Sequence, residues 1–162
     1  MHISVRQAHN DDIPRLVSLY DELETEQTDR KPIWALMDGL DHRSDLSLVH
    51  ALEQDDSWVL AGEIEEVVVG FVWMTVEQML NRAQGSRMGR IRLIYTEPDA
   101  RGVGVGHAML EAALERFREL GIEHFDAPVG PGQRAAKNFF EGHGFAARSI
   151  IMYHTDVSVT DA

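Results

Sequence analysis

The sequence predicts a single mixed α/β domain spanning residues 1–162, and two observations carry that reading. The first is the stretch from Ile91 to Leu110: a strand through Thr96, a tight turn at Pro98-Asp99, a glycine-rich elbow from Arg101 to Gly106, then a helix. The apolar positions of that helix are Val103, Met109, Leu110, Ala113, Leu114 and Phe117. The second is that strand and helix patterns recur on both sides of it, so that strands stand before, between and after helices.

From the start of the chain, Ile3 to Ala8 alternates like a short strand. Asn10-Asp11-Asp12 then offers caps for a helix whose face is Ile13, Leu16, Val17, Leu19, Tyr20 and Leu23. The polar run from Thr25 to Lys31, with breaks at Pro32 and Gly39, reads as a loop, followed by a second helix over 44–54. This intervening segment is a candidate acceptor-site loop. Trp34 and Met37 lie in it, as substrate contacts or as plugs of the core beneath. Residues 58–64 and 67–76 read as two strands joined by a turn at Glu65-Glu66. Turn formers from Arg82 to Gly89 lead into the central strand. Gly121 caps the glycine-rich helix, a strand follows over 122–129, Gly130-Pro131-Gly132 breaks it, a late helix covers 133–142, and 149–155 makes a closing strand.

The elbow is built for anion capture. Glycines let the main chain approach a ligand without a Cβ in the way, and a helix that begins among them turns unpaired N–H groups and its positive dipole end toward it. A diphosphate suits such a cradle. A nucleotide P-loop is excluded because Gly106 is followed by His107-Ala108 rather than Lys-Ser or Lys-Thr. A dinucleotide fingerprint fits poorly, since Gly102, Gly104 and Gly106 give G-x-G-x-G and no acidic residue ends a second strand.

What remains is Arg-x-x-Gly-x-Gly, here Arg101, Gly104 and Gly106, directly after the strand that ends Ile94-Tyr95-Thr96-Glu97-Pro98. This resembles the acetyl-CoA pyrophosphate loop of the GNAT superfamily of N-acetyltransferases. A second landmark agrees: Gln133 to Phe145 is similar to the family's late helix, Asn-x-x-Ala-x-x-x-Tyr closing on Gly-Phe. The resemblance covers about residues 58–155 well and the first 57 loosely. It implies a GNAT fold, a mixed and mostly antiparallel central sheet flanked by helices, with the central strand splayed from its neighbour into a V that admits pantetheine.

The resemblance also implies site residues. Main-chain groups of Ile94 and Thr96 would pair with pantetheine, and an amide near Ile94 or Tyr95 would polarise the acetyl carbonyl. Arg101 with the amides of Gly102, Val103, Gly104, Val105, Gly106 and His107 would hold the diphosphate. Gln133 stands at the family's Asn position, and Lys137 with Arg134 could meet phosphate. The family's usual proton-donating Tyr is matched by Phe140, which cannot donate. Tyr95, Asn138 or a water would then serve, or no group at all, because a thiol is a tolerable leaving group. The positions where relatives carry a base are Arg90 and Arg92, which stay charged. Glu97 and His107 are the titratable alternatives, next to a water-relayed deprotonation. By alternation Arg90 and Arg92 share a face with Ile94 and Thr96, while Ile91, Leu93 and Tyr95 share the other. An arginine fork there suits an acceptor amine that also bears a carboxylate, with pairing to glutamates across neighbouring strands as the competing role.

Composition narrows the function further. Net charge is −12, against nucleic-acid binding. Residues 1–60 hold 13 acidic and 5 basic side chains, net −8, whereas residues 87–148 hold 8 acidic and 9 basic, net +1, so the anion-binding half is spared the excess. No apolar run approaches the ~18 residues of a membrane span. The first residues do not open a signal peptide. With no cysteine there is no disulfide framework, and the histidines show no ligand spacing along the chain, so no metal site is expected. The sequence therefore reads as a cytoplasmic acetyl-CoA-dependent N-acetyltransferase for a small-molecule or peptide amine, amino-acid-like acceptors included. The alternative is a non-catalytic CoA-binding regulator of the same fold, and the oligomeric state, a homodimer included, stays open.

Overall fold

Five strands hydrogen-bond in chain order: β1 (Ile3–Gln7), β2 (Ser57–Ile64), β3 (Val67–Gln78), β4 (Arg87–Thr96) and β5 (His124–Asp126). The first three pairings are antiparallel and β4 with β5 is parallel. The structure, a computed structural model, describes residues 1–30, 33–41 and 43–157, with Ala35 described by its main chain alone. Its helices are α1 (Ile13–Arg30), α2 (Trp34–Met37), α3 (Ser44–Glu53), α4 (Val105–Glu119) and α5 (Arg134–Glu141).

The sheet separates two apolar layers. On one face Val72, Met74 and Ile91 pack with Val105, Met109, Leu110, Ala113, Leu114 and Phe117 of α4 and with Phe140 of α5. On the other, Val59, Phe71, Leu93 and Tyr95 pack with Leu16, Leu19, Tyr20 and Leu23 of α1, Trp34 of α2 and Leu48 of α3. The β2–β3 hairpin turns on Glu65 and Glu66, with φ of 46° and 68°. A two-residue loop needs left-handed backbone at both positions to match the strand twist, here met without glycine.

Three expectations are corrected. The polar run from Thr25 continues α1 to Arg30, because nothing in it breaks a helix before Pro32 and Thr25, Thr28, Asp29 and Arg30 face solvent; its last residue, Lys31, lies outside the described residues. The strand expected over 122–129 shrinks to three residues. Ile122 belongs to the end of α4: it is buried, and its N–H donates to the Phe117 carbonyl at 3.0 Å around Gly121, whose φ is 74°. The closing strand over 149–155 does not form. Residues 146–155 have no ladder partner among the described residues, Ile150, Ile151 and Met152 lie exposed, and the three-residue β5 offers little edge to pair with.

Strand alternation also fails within β4. Trp73 faces Leu93 and Met74 faces Ile91, which leaves Arg92 as an extra residue in β4. Ile91 therefore joins the α4 layer while Leu93 and Tyr95 join the α1 layer. The common face expected for Ile91, Leu93 and Tyr95 is split.

One polar link ties the start of the chain together. Arg6 on β1 donates through both Nη atoms to Asp12, at 2.8 and 2.9 Å, and through Nε to Glu63 of β2 at 2.7 Å. The Asp12 carboxylate also accepts the His9 N–H at 2.9 Å. The Arg6 hydrogen bonds outweigh burial and hold Asp12 down at about 2. A folded-state pKa below the unfolded value stabilises the fold above the unfolded value, and that stability is lost as pH falls through the folded one. Asp12→Asn is thus expected to cost roughly 2 kcal/mol at neutral pH. Thermal melts from pH 7 downward should show the wild-type advantage shrinking below about pH 4 and gone near pH 2.

Candidate functional site

The site begins where β4 loses its second neighbour. β5 pairs only with Met88, Gly89 and Arg90, so from Ile91 to Thr96 no strand among the described residues lies along that edge. The Glu97 N–H donates to the Val69 carbonyl on β3 at 2.9 Å. By alternation Tyr95 and Leu93 turn their amides the same way, and those of Ile94 and Thr96 face the open side. Past Arg90 and Asp126 the pairing with β5 ends, and that edge of β4 is left open.

The open edge of β4 runs into the elbow at the amino end of α4. A short 3₁₀ turn at Pro98–Ala100 redirects the chain, and Gly102 and Gly104 take φ of 77° and 104°. Both values require glycine-like freedom. The first helical hydrogen bond runs from Ala108 N–H to the Gly104 carbonyl at 3.0 Å, so the amides of Val105, Gly106 and His107 have no helical acceptor. A Cβ on Gly106 would sit 3.6 Å from Phe139 and 3.7 Å from Thr96 Oγ1, which places α5 and the end of β4 beside the amides. Unpaired N–H groups at a helix start next to an unpaired strand edge can hold an anion and an amide-bearing chain at once.

Side chains around this frame are more engaged than the sequence suggests. The Arg101 guanidinium donates to the Thr96 carbonyl at 2.8 Å and to Glu26 at 2.8 Å, and lies 5.3 Å from the Tyr95 ring centre. Buried Gln133 caps α5, accepts the Gly130 N–H at 2.9 Å and donates to Gln27 of α1. Exposed Lys137 pairs with Glu141 at 2.6 Å. Glu97 is paired with Arg15 of α1, whose Nε donates to the Val68 carbonyl at 2.9 Å. Arg90 closes its fork on Asp126 at 2.8 and 2.9 Å and also reaches Glu77 at 2.9 Å, while Arg92 pairs with Glu77 at 2.7 Å over the Trp73 ring. Burial works to raise Asp126, but hydrogen bonds from Arg90 and Arg148 hold it below the ordinary carboxylate range. Trp34 is buried against Tyr20, whereas Met37 is exposed. Phe140 is buried, edge-on to both Phe139 and Phe145.

On the opposite side of β4, an open groove of about 610 Å³ runs between α1 and the strand's end, lined by Val17, Asp21, Glu22, Glu26, Tyr95 and Pro98 among others. The Tyr95 hydroxyl donates to Glu26 at 2.9 Å and lies 3.4 Å from Glu22. Burial and acceptance by Glu26 push the phenol well above its usual value, so it keeps its proton at neutral pH. Tyr95 can donate here and cannot act as a base. Asp21, Glu22 and Glu26 escaped the sequence reading, which ended the helical face at Leu23. Their signal was there: Glu22 and Glu26 are four residues apart on one helix face.

A second grouping was not expected. His107, Glu111 and His143 bring one ligand atom each within 4.8 Å of one another, although 36 residues separate the histidines. The expectation of no metal site rested on spacing along the chain, and α4 and α5 place together what the chain keeps apart.

Residues 14–145 match the acetyltransferase (GNAT) family, and the chain belongs to it. Among curated relatives, the mycothiol acetyltransferase of Propionibacterium freudenreichii subsp. shermanii is 33% identical over 95 residues, 59% of this chain and 28% of that protein. The chain matches 22–44% of the length of these curated relatives, under half in each. Among solved structures, the ribosomal-protein-alanine N-acetyltransferase of Brucella melitensis biovar Abortus superposes with a TM-score of 0.71 at 18% identity, covering 95% of this chain and 100% of that one. AAC(6')-Iy, solved with the bisubstrate analogue CoA-S-monomethyl-acetylneamine, gives 0.72 at 18% identity, covering 97% and 100%. Both structures share the fold. Among the described residues no helix is long and apolar enough to cross a membrane.

Proposed function

We propose that this protein is an acetyl-CoA-dependent N-acetyltransferase whose acceptor is a cationic primary amine, such as a polyamine or an amino sugar. The observation that carries the cofactor assignment is the unpaired edge of β4 from Ile91 to Thr96 opening onto the free amides at the start of α4. Acetyl-CoA, the acetyl donor usual in the family, supplies the acetyl group as an activated thioester. The residues present fit it. The Ile94 and Thr96 main chain would align the pantetheine amides as an added strand, with Arg101 giving up the Thr96 carbonyl. The amides of Gly102, Val103, Gly104, Val105, Gly106 and His107 would take the diphosphate, with Gln133 just before α5 and Lys137 on it as further candidates to meet the cofactor. An amide near Ile94 or Tyr95 would polarise the acetyl carbonyl.

The acceptor reading rests on the acidic groove. Asp21, Glu22 and Glu26 converge there with Tyr95 and draw an ammonium group toward the end of β4. The amine must lose a proton before it attacks, and water in this open groove can carry it away. A second reading, an acceptor that bears a carboxylate, depends on Arg90 and Arg92 releasing Asp126 and Glu77. A cytoplasmic setting accords with the chemistry.

The test is direct. CoA and acetyl-CoA are expected to raise the melting temperature, by about 2.7 kcal/mol of stabilisation at a hundredfold excess over Kd, whereas ATP and NAD do little. Equal shifts with ATP would remove the CoA assignment. Thiol release with a panel of amines then separates an enzyme from a CoA-binding regulator, which would show the shift without turnover.

A further inference from the structure

We propose that His107, Glu111 and His143 form a binding site for a transition-metal ion of the zinc class, at the junction of α4 and α5. The argument begins with one proton. His143 Nδ1 lies 2.7 Å from the Phe139 carbonyl, which can only accept, so the hydrogen of the neutral ring is on Nδ1 and a lone pair is on Nε2. That Nε2 lies 2.7 Å from His107 Nδ1, and two lone pairs cannot face each other, so His107 carries its hydrogen on Nδ1. Two imidazole nitrogens therefore meet across a single proton. A backbone carbonyl fixing the far nitrogen of a histidine is the outer-shell arrangement that orients metal ligands.

The third donor follows from helix geometry. Glu111 is four residues beyond His107, on the same face of α4, and a carboxylate oxygen of it lies within 4.8 Å of one nitrogen of each ring. Zinc bonds of ~2.0–2.2 Å in tetrahedral geometry need ligand atoms ~3.3–3.6 Å apart. The rings must open by about 0.6–0.9 Å and Glu111 must close by up to about 1.5 Å. His107 and Glu111 are exposed and His143 is half-buried, so rotamer changes suffice. His107 would move its hydrogen from Nδ1 to Nε2, with no net proton released, and water would fill the fourth position. Two nitrogens and one carboxylate oxygen favour zinc, cobalt or nickel over magnesium or calcium, which prefer oxygen alone. Nothing in the acetyl-transfer reading uses these three groups as a set, and the inference stands or falls apart from it.

The measurement uses protein without a histidine tag, stripped with chelator and free of CoA. Cobalt(II) serves as the probe through its visible d–d absorption, followed by displacement with zinc. The expected result is one tightly bound ion per chain with tetrahedral band intensity, no response to magnesium, and a higher melting temperature in zinc. Glu111→Gln, a surface change that leaves the fold alone, should weaken binding by about tenfold or more. His143→Ala and His107→Ala should abolish it, with circular dichroism confirming that each variant is folded. Two results would overturn the proposal: no cobalt binding by the folded wild type, or binding that survives both Glu111→Gln and His143→Ala. The second would assign the ion to other surface histidines and leave the His107–His143 contact as a plain link between α4 and α5.

Discussion

Replacing Gly104 with valine is expected to lower CoA affinity by roughly a hundredfold or more, through the loss of two or more charge-assisted hydrogen bonds of ~1.5–3 kcal/mol each. Gly104 sits just before α4 with φ of 104°, and an added Cβ would meet only Ile3 Cδ1, at 3.8 Å. A valine there would project toward Ile3 of β1, and a branched side chain in left-handed backbone would prop the elbow, and the free amides with it, away from this conformation. Strain alone is a rival cause, since a branched residue in left-handed backbone costs ~1–3 kcal/mol. Gly121 supplies the control at the far end of the same helix, with φ of 74° and nothing within 4 Å of an added Cβ. Gly121→Val should cost a comparable drop in melting temperature and keep its CoA shift. If both variants lose the shift together, the elbow is a structural turn and the cradle belongs elsewhere.

What could be read in the sequence was whatever depends on one element at a time. The β2–β3 hairpin and the strand–elbow–helix unit carry their own periodicity, and the free amides of Val105, Gly106 and His107 follow from glycines at a helix start. Properties of pairs were not legible. The extra residue at Arg92 exists only relative to the count of residues in β3, and it overturned a face assignment that simple alternation had made. Whether Arg90 is available depends on Asp126, 36 residues away, arriving beside it on β5. The same distance hid the contact between His107 and His143. The closing segment failed for a related reason: its strand-like composition is real, but a strand needs a partner, and the short β5 provides little of one.

The closed forks of Arg90 and Arg92 also shift where selectivity should lie. An anionic acceptor would have to displace Asp126 or Glu77 from charge-assisted hydrogen bonds already made, whereas a cationic one meets Asp21 and Glu22, which hold no side-chain cation among the described residues. Glu26 differs from these two, because Arg101 and the Tyr95 hydroxyl already occupy it. Glu22 is therefore the carboxylate to test.

Glu22→Gln is expected to reduce kcat/KM for a diamine by about ten- to a hundredfold, the worth of one hydrogen bond to a charged group, and to leave a neutral monoamine acceptor nearly unchanged. The substitution keeps the size of the side chain, so the groove and its contact with Tyr95 persist while the charge is removed. The wild-type preference should weaken as salt rises, because the groove is open to solvent and its attraction is screened. The loss should fall mainly on KM, since attraction of the ammonium acts before the amine is deprotonated for attack. Arg92→Ala provides the opposing arm. It should change diamine kinetics little, because Arg92 is held by Glu77 on the surface of β3 and β4. A wild-type preference for a carboxylate-bearing amine that disappears in Arg92→Ala and survives Glu22→Gln would reverse the assignment, and would mean that Glu77 yields Arg92 to the acceptor.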